Sequence, residues 1–465
     1  MGTVFNSLLD GPPSGIGKVV VGEEPETDDR EPVRMRVAVF FDGTQNNRTN
    51  IETRLANVTA TVVTINGRPV EVKGSYDSSY SNVAIMEYMN NIEDDQTEVS
   101  VYVEGIGTID NEADDKDGLA WGSGPTGIPA KVTRGITEAT TKISEVLRRT
   151  EKRLEALTVD VFGFSRGAAA ARHFVARRTA EFFSQYPNLS ATLGVPPEAI
   201  TLNFVGVFDT VSSYAGESER GTLVRALGNV IFDTFGDDVD ELRLAMHGAP
   251  MRAVQLGAAD EYRKNFARTT ITTSMQAGVG FECTLPGVHS DVGGSYKEEM
   301  VETSVVDTYE RERLLREGWY VNNDEETQLP EPSGFWVRAG TSTRTTGTRT
   351  VRHHYQFIPL SIMMQLAQKF GATFKPFADD FAAYEVPDNL SGLSGLMHRY
   401  VLSRHDTALS EPANYVLPKA YKWVRNQYLH RSSVKGWGDM DAITMGGREV
   451  DNLPARQIIS DLPSR

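Results

Sequence analysis

Cysteine is almost absent: the 465 residues hold one, Cys283. That excludes an intramolecular disulfide and any multi-cysteine zinc or iron–sulfur centre. Long apolar runs are missing too. No stretch of about 18 apolar residues is present to cross a bilayer as a helix. Met1 to Asp10, ahead of Gly11-Pro12-Pro13, lacks the basic n-region and long apolar h-region of a secretory signal peptide. The expectation is a chain made in the cytoplasm, with export that needs no signal peptide left open. Basic charge is in deficit, 47 Lys plus Arg against 63 Asp plus Glu, a balance of −16. Such a surface repels phosphate backbones and anionic bilayers at long range, which argues against a nucleic-acid binder. No repeat at a period of 20 to 50 residues is visible.

What is present is ordinary globular material. With 40% hydrophobic and 24% charged residues, the chain has enough apolar content to bury a core. Residues 1–34 mix Gly, Pro and an acidic run (Glu23, Glu24, Glu26, Asp28, Asp29) and read as a flexible lead-in. Strand-like segments follow at Met35 to Phe41, Ala60 to Ile65, Val99 to Val103, Thr158 to Phe162, Leu202 to Phe208, Met251 to Leu256 and Val279 to Cys283. Helical patterns lie between several of them. Ala130 to Leu147 spaces Val132, Ile136, Ala139, Ile143 and Val146 by threes and fours, and Arg166 to Phe183 is rich in Ala, Arg and Phe. Strands alternating with helices predict an α/β domain over residues 35–300, with a mostly parallel sheet flanked by helices. Residues 301–465 read as a mainly helical extension that covers or shapes the site. Within it Glu298 to Glu317 looks like charged helix, Gly340 to Arg352 like an insertion or linker, and Ile358 to Phe370 like a helix with one buried face.

Gly163-Phe164-Ser165-Arg166-Gly167 fits the G-x-S-x-G pattern, with Val159, Val161 and Phe162 as the preceding strand and the run from Ala168 as the following helix. The glycines permit a sharp strand-to-helix turn that lifts a serine Oγ clear of its backbone, so Ser165 is the candidate nucleophile. A serine needs a base, and the base an orienting carboxylate. In the α/β-hydrolase arrangement the chain order is Ser, Asp or Glu, His. Asp209, at the carboxyl end of the strand Leu202 to Phe208, is the candidate acid, its plainer role being a cap for Thr210 to Ser213.

Eight histidines compete for the base. His173 lies on the helix after Ser165, His247 in a charged helical segment, His353 and His354 in the Arg/Thr-rich stretch, and His398 on a late helix. His289 sits in a Gly-flanked loop, Leu285-Pro286-Gly287-Val288-His289-Ser290-Asp291-Val292-Gly293-Gly294, behind Ser165 and Asp209 in the required order. It is the first choice, with His405 and His430 as fallbacks. Asp291 reads as a loop-capping carboxylate.

The oxyanion needs donors. One is expected from the backbone N–H of Arg166 and a second from the loop Asp42-Gly43-Thr44 after the first strand. A simple turn is the competing role for that loop. Three other patterns carry no chemistry. Gly11 to Lys18 has Pro12 and Val19 where a phosphate loop needs other residues. Asp110 to Gly118 has only partial calcium-loop spacing, with Ala113 and Gly124 at the first and twelfth ligand positions, so no metal is expected. Cys283 reads as a small buried residue.

Four segments together carry a resemblance: Phe40-Phe41-Asp42-Gly43-Thr44-Gln45-Asn46-Asn47, Gly163 to Ala168, Val207-Phe208-Asp209-Thr210-Val211 and Gly287 to Gly294. Over about residues 35 to 450 the chain resembles the first family of bacterial type VI secretion lipase effectors, whose α/β-hydrolase domain was long catalogued as a domain of unknown function. Ala258-Ala259-Asp260-Glu261-Tyr262-Arg263 and Tyr428-Leu429-His430 also look familial. The resemblance implies a toxin injected by one bacterium into another, an esterase acting on membrane phospholipids with phospholipase A activity. It implies carriage on the secretion spike protein and a cognate immunity protein, and it carries the triad onto Ser165, Asp209 and His289. No cofactor is expected. A carboxylesterase or neutral-lipid lipase with the same triad, or an inactive hydrolase-fold binding protein, are the alternatives. Contact with an anionic bilayer would fall to a local patch such as Arg338 to Arg352.

Overall fold

The computed structural model describes residues 28–57, 62–65, 68–91, 97–178, 187–214, 238–321, 327–328, 344–432, 449–450, 453–454 and 456–462. The lead-in expected over residues 1–34 lies mostly outside them. Seven strands form the main sheet: β1 (Pro32–Phe41), β2 (Glu98–Val103), β3 (Arg153–Phe164), β4 (Ile200–Phe208), β5 (Arg252–Ala258), β6 (Gly280–Leu285) and β7 (Ala413–Asn414). Their spatial order is β2-β1-β3-β4-β5-β6-β7, with every neighbouring pair parallel. Strand order reverses between β1 and β3. Open α/β sheets place their crevice there, outside the carboxyl ends of the strands.

The strands are apolar on both faces, as parallel strands covered on both sides must be. Alternation then sorts the side chains. One face carries Phe40, Phe162, Phe164, Phe204, Phe208 and Phe281 and packs under α5 (Phe357–Gln368) and α6 (Asp388–Thr407). The other carries Val37, Val39, Val101, Val159, Val161, Val205 and Val207 against α2 (Ile128–Thr150) and α3 (Arg166–Ala176). Helix α2 buries Ile128, Val132, Ile136, Ala139 and Ile143 at helical spacing. Arg148 and Arg149 in its last turn complement the helix dipole, and Glu151 ends it in the left-handed conformation at φ 55°.

The structure corrects several expectations. Val62–Ile65 pairs antiparallel with Arg68–Glu71, apart from the main sheet. The segment expected as helix from Glu298 is a strand, Glu299–Asp307, followed by a helix, Thr308–Glu317. That strand pairs antiparallel with Arg344–Arg352, so this part of the supposed linker is sheet. Its Thr and Arg residues suit a strand, because a β-branched side chain fits a pleated surface without an apolar run. Pairing places Arg344, Arg349 and Arg352 of the proposed lipid-facing patch on a strand. Arg349 is fully buried, with Nε and Nη2 on Glu302 and Nη1 on the carbonyls of Arg425 and Asn426, and Arg352 lies beside Glu299. Residues 338–343 lie outside the description. Helix α3 ends at Ala176, residues 179–186 being undescribed, and His247 sits in a turn. Asp115 caps a short helix, α1 (Lys116–Trp121), and accepts from Thr126 Oγ1 at 2.6 Å.

His173 on α3 gives the fold a pH dependence. It is buried with Nδ1 2.8 Å from the Leu242 carbonyl, and burial depresses its pKa to about 4. The neutral imidazole is therefore the folded form. Its contribution is fully present above the unfolded value and is lost as pH falls through about 4, by up to about 3 kcal/mol. Melting temperature measured against pH should fall less steeply between about pH 6.5 and 4 in His173→Gln than in the wild type. Parallel slopes would contradict this.

Candidate active site

The elbow is built by close approach of backbone. Strand β3 ends at Phe164, Ser165 takes φ 59° and ψ −129°, and α3 begins at Arg166. This is a sparsely populated conformation for a residue with a side chain, of the kind found at functional sites. A Cβ on Gly163 would stand 2.5 Å from the Gly167 carbonyl oxygen, and one on Gly167 would fall on the carbonyls of Asp42 and Phe41. Both glycines of the motif are thus required, and the elbow is pressed against the end of β1. Ser165 itself is only 4% exposed.

Asp209 follows β4 directly, with φ 46° and no exposure. Its Oδ2 lies 2.6 Å from His289 Nδ1, and its Oδ1 accepts the Ala258 N–H at 2.9 Å. A residue absent from the sequence expectations completes its environment. Arg456 forks onto it, Nη1 to Oδ1 at 2.6 Å and Nη2 to Oδ2 at 2.7 Å. Burial alone would raise the Asp209 pKa, but the Arg456 charge and the His289 hydrogen bond hold the carboxyl far below the ordinary carboxylate range.

His289 opens α4 (His289–Gly293). Its ring lies between Phe164 (centroids 4.6 Å apart) and Phe266 (5.0 Å, edge-on). Nε2 is buried without a hydrogen-bond partner among the described residues, as are the Nε2 atoms of His405 and His430. Burial lowers the His289 pKa below the ordinary imidazole value, an effect only partly opposed by Asp209. Carboxylates fix the loop. Asp260 Oδ2 accepts the Gly287 N–H at 2.8 Å, and Asp291 Oδ2 accepts the N–H groups of Val288 and His430 at 2.9 and 3.0 Å. Glu261 takes the His289 N–H at 3.3 Å, the Ser432 hydroxyl at 2.8 Å and both ends of the Arg263 guanidinium at 2.9 Å.

The fallback histidines go elsewhere. His430 Nδ1 is 2.7 Å from Asp291 Oδ1, with the ring stacked on Tyr296, and His405 Nδ1 is 2.9 Å from Asp406 with its ring edge-on to Phe281. Asp291 thus caps its loop as expected and also holds His430.

In the Asp42-Gly43-Thr44 loop, Asp42 is a buried acceptor for the Ser81 and Tyr102 hydroxyls, each at 2.6 Å, and for the Gly43 N–H at 2.7 Å. The Gly43 amide is therefore engaged by Asp42, and its lack of a Cβ serves packing against Phe164. Thr44 Oγ1 accepts Arg166 Nε at 2.8 Å, while Arg166 Nη2 donates to the Leu119 carbonyl at 2.5 Å. The Arg166 side chain thus ties the elbow to the β1 loop. Of the residues missed in the sequence, Glu261 and Arg263 stood in a segment already noted, whereas Arg456 had no local signal.

Among the described residues no helix is long and apolar enough to cross a membrane. No curated protein matches the chain. Residues 188–311, which include Asp209 and His289, match the family model for the catalytic domain of Tle1-like phospholipase effectors of the type VI secretion system. Among solved structures, the Tle1 effector bound to the VgrG spike of that system is 22% identical, with 93% of this chain and 94% of that chain covered at a TM-score of 0.55. An uncharacterized protein from Pseudomonas aeruginosa is 17% identical over 79% of this chain and 51% of that one, with a TM-score of 0.45. The resemblance carried by the sequence motifs is thereby borne out: the chain has the fold of a Tle1 effector, and its residues 188–311 match the Tle1-like catalytic domain of type VI secretion phospholipase effectors.

Proposed function

We propose that this protein is a serine esterase that hydrolyses acyl ester bonds of membrane phospholipids, a phospholipase A type activity delivered to target cells by type VI secretion. The observation that carries the chemistry is the Asp209–His289 pair, 2.6 Å apart, in a fold whose strained elbow holds Ser165. Ser165 Oγ attacks the ester carbonyl, and His289 Nε2 takes its proton and passes it to the leaving glycerol oxygen. Asp209 holds the Nδ1–H tautomer and stabilises the imidazolium. Water, deprotonated by the same imidazole, then releases the fatty acid. The Arg166 amide is the first oxyanion donor and the Thr44 amide, from the adjoining loop, the second.

Delivery rests on the family match and on the fold shared with an effector seen on its spike. By the same likeness the spike protein is a partner, and the resemblance of the sequence motifs adds an immunity protein that protects the producing cell.

The test is acyl release from phospholipid vesicles and from a short soluble ester, each with and without an intact Ser165, with free fatty acid and lysophospholipid measured. Ser165-dependent release of both products from vesicles is the expected result. Cleavage of the soluble ester alone would move the substrate to small or neutral esters, and Ser165-independent traces on both would leave a binding protein on a hydrolase scaffold. The pH profile adds a check. Because His289 acts as a neutral base and burial lowers its pKa, the acid limb of kcat/KM should lie below the ordinary imidazole value of about 6.5.

A further inference from the structure

The end of the chain returns to the catalytic centre. Residues 456–461 run beside Arg268 to Thr270: Arg268 N–H donates to the Gln457 carbonyl at 3.0 Å, Thr270 N–H to that of Ile459 at 2.9 Å, and Ile458–Ile459 pairs parallel with Arg268–Thr269. Both ends of this strap are anchored by ion pairs. At the far end Asp461, fully buried, accepts from Arg172 at 3.0 Å and from the Thr273 hydroxyl at 2.6 Å. At the near end Arg456 forks onto Asp209 and also donates to the carbonyls of Ala258 and Phe266, each at 2.8 Å.

Resting on the serine-esterase reading, we propose that Arg456 is a positioning residue of the triad: it clamps both oxygens of Asp209, aims that carboxylate at His289 Nδ1, and sets how readily the imidazole takes the Ser165 proton. The geometry is specific. The imidazole and the guanidinium meet on one oxygen, Oδ2, at 2.6 and 2.7 Å. A forked guanidinium fixes the carboxylate plane, which a single donor cannot do. It also draws on the negative charge that would otherwise stabilise the imidazolium, so orientation comes with restraint of the base. The same donors hold the carbonyl of Phe266, whose ring walls His289.

The other charged groups around His289 are accounted for. Glu261, after β5, accepts its backbone N–H and is neutralised by the Arg263 fork, and Asp291 on its own helix is taken up by Val288 and His430. Among the described residues Arg456 is the cation hydrogen-bonded to the carboxylate shared with the base, while the nearby Arg263 charge also disfavours the imidazolium.

The full-length wild type is compared with Arg456→Gln, which keeps a donor and removes the charge, and with Arg456→Lys, which keeps the charge and loses the fork. On a short soluble ester, the Gln variant is expected to lift the acid limb of kcat/KM by about one pH unit and to lower kcat several-fold with little change in KM. The Lys variant should keep the limb and lose turnover. A folded Gln variant with an unmoved limb overturns the proposal. Should the Gln variant not fold, a Lys variant with native turnover overturns it instead. The His289 titration, followed by nuclear magnetic resonance and assigned with His289→Gln, reads the coupling without turnover. If no Ser165-dependent hydrolysis exists, the esterase reading fails, while a raised His289 titration in Arg456→Gln still upholds the coupling and an unmoved one removes it.

Discussion

Ser165→Ala should lower turnover on the soluble ester by on the order of 10⁶, with the melting temperature unchanged. The size follows from what is deleted. Without Oγ there is no acyl-enzyme, and the His289 imidazole and oxyanion donors can only assist direct attack by water. Stability should hold because alanine keeps the same backbone demand at φ 59° and leaves the flanking glycines untouched. Ser165 is 4% exposed and small, so the missing oxygen leaves little void. Single-turnover acyl release, measured beside a thermal melt, checks both halves. A loss under about a hundredfold would remove Ser165 from the nucleophile's role.

Asp209→Asn should cost about 10⁴ in kcat, for a different reason. An asparagine can turn its amide toward His289 Nδ1, favouring the tautomer that leaves Nε2 protonated and unable to accept the serine proton. It also withdraws charge from the developing imidazolium. Unlike the serine variant, this one should be less stable. Arg456 is 6% exposed, with its guanidinium paired to Asp209 on both oxygens, and removing that charge leaves a buried cation, typically at about 3 to 5 kcal/mol. The double variant Asp209→Asn with Arg456→Met should regain much of the melting temperature and none of the turnover. Recovery of activity in the double variant would mean that the carboxylate matters only as Arg456's partner.

The candidate site was legible where its signals are local. Gly163 to Gly167 announces a turn that no residue with a Cβ at its ends can make, and the backbone bears this out. Asp209 was placed by a strand end, and His289 by order and a Gly-flanked loop. His289, rather than His405 or His430, is the histidine whose Nδ1 lies on Asp209. The strand Arg344–Arg352 was missed because Thr, Gly and Arg give no apolar alternation. Its partner strand, Glu299–Asp307, supplies the reason for its structure. Arg349 could not be read as a buried ion-pair partner for Glu302 from a sequence in which the two stand far apart.

By itself the sequence determined the α/β class, the sheet strands from β1 to β6 and the elbow, because strand burial and glycine sterics are written within a few residues of each. Only the tertiary structure decided which histidine meets Asp209, that the Gly43 amide is engaged by Asp42, and that the chain's last residues return as a strap bringing Arg456 to the acid. These depend on pairings across long separations, between His289 and Asp209 and between Arg456 and Asp209. A carboxylate in a low-dielectric interior takes whichever cation and donor the fold delivers, and no local pattern encodes that delivery.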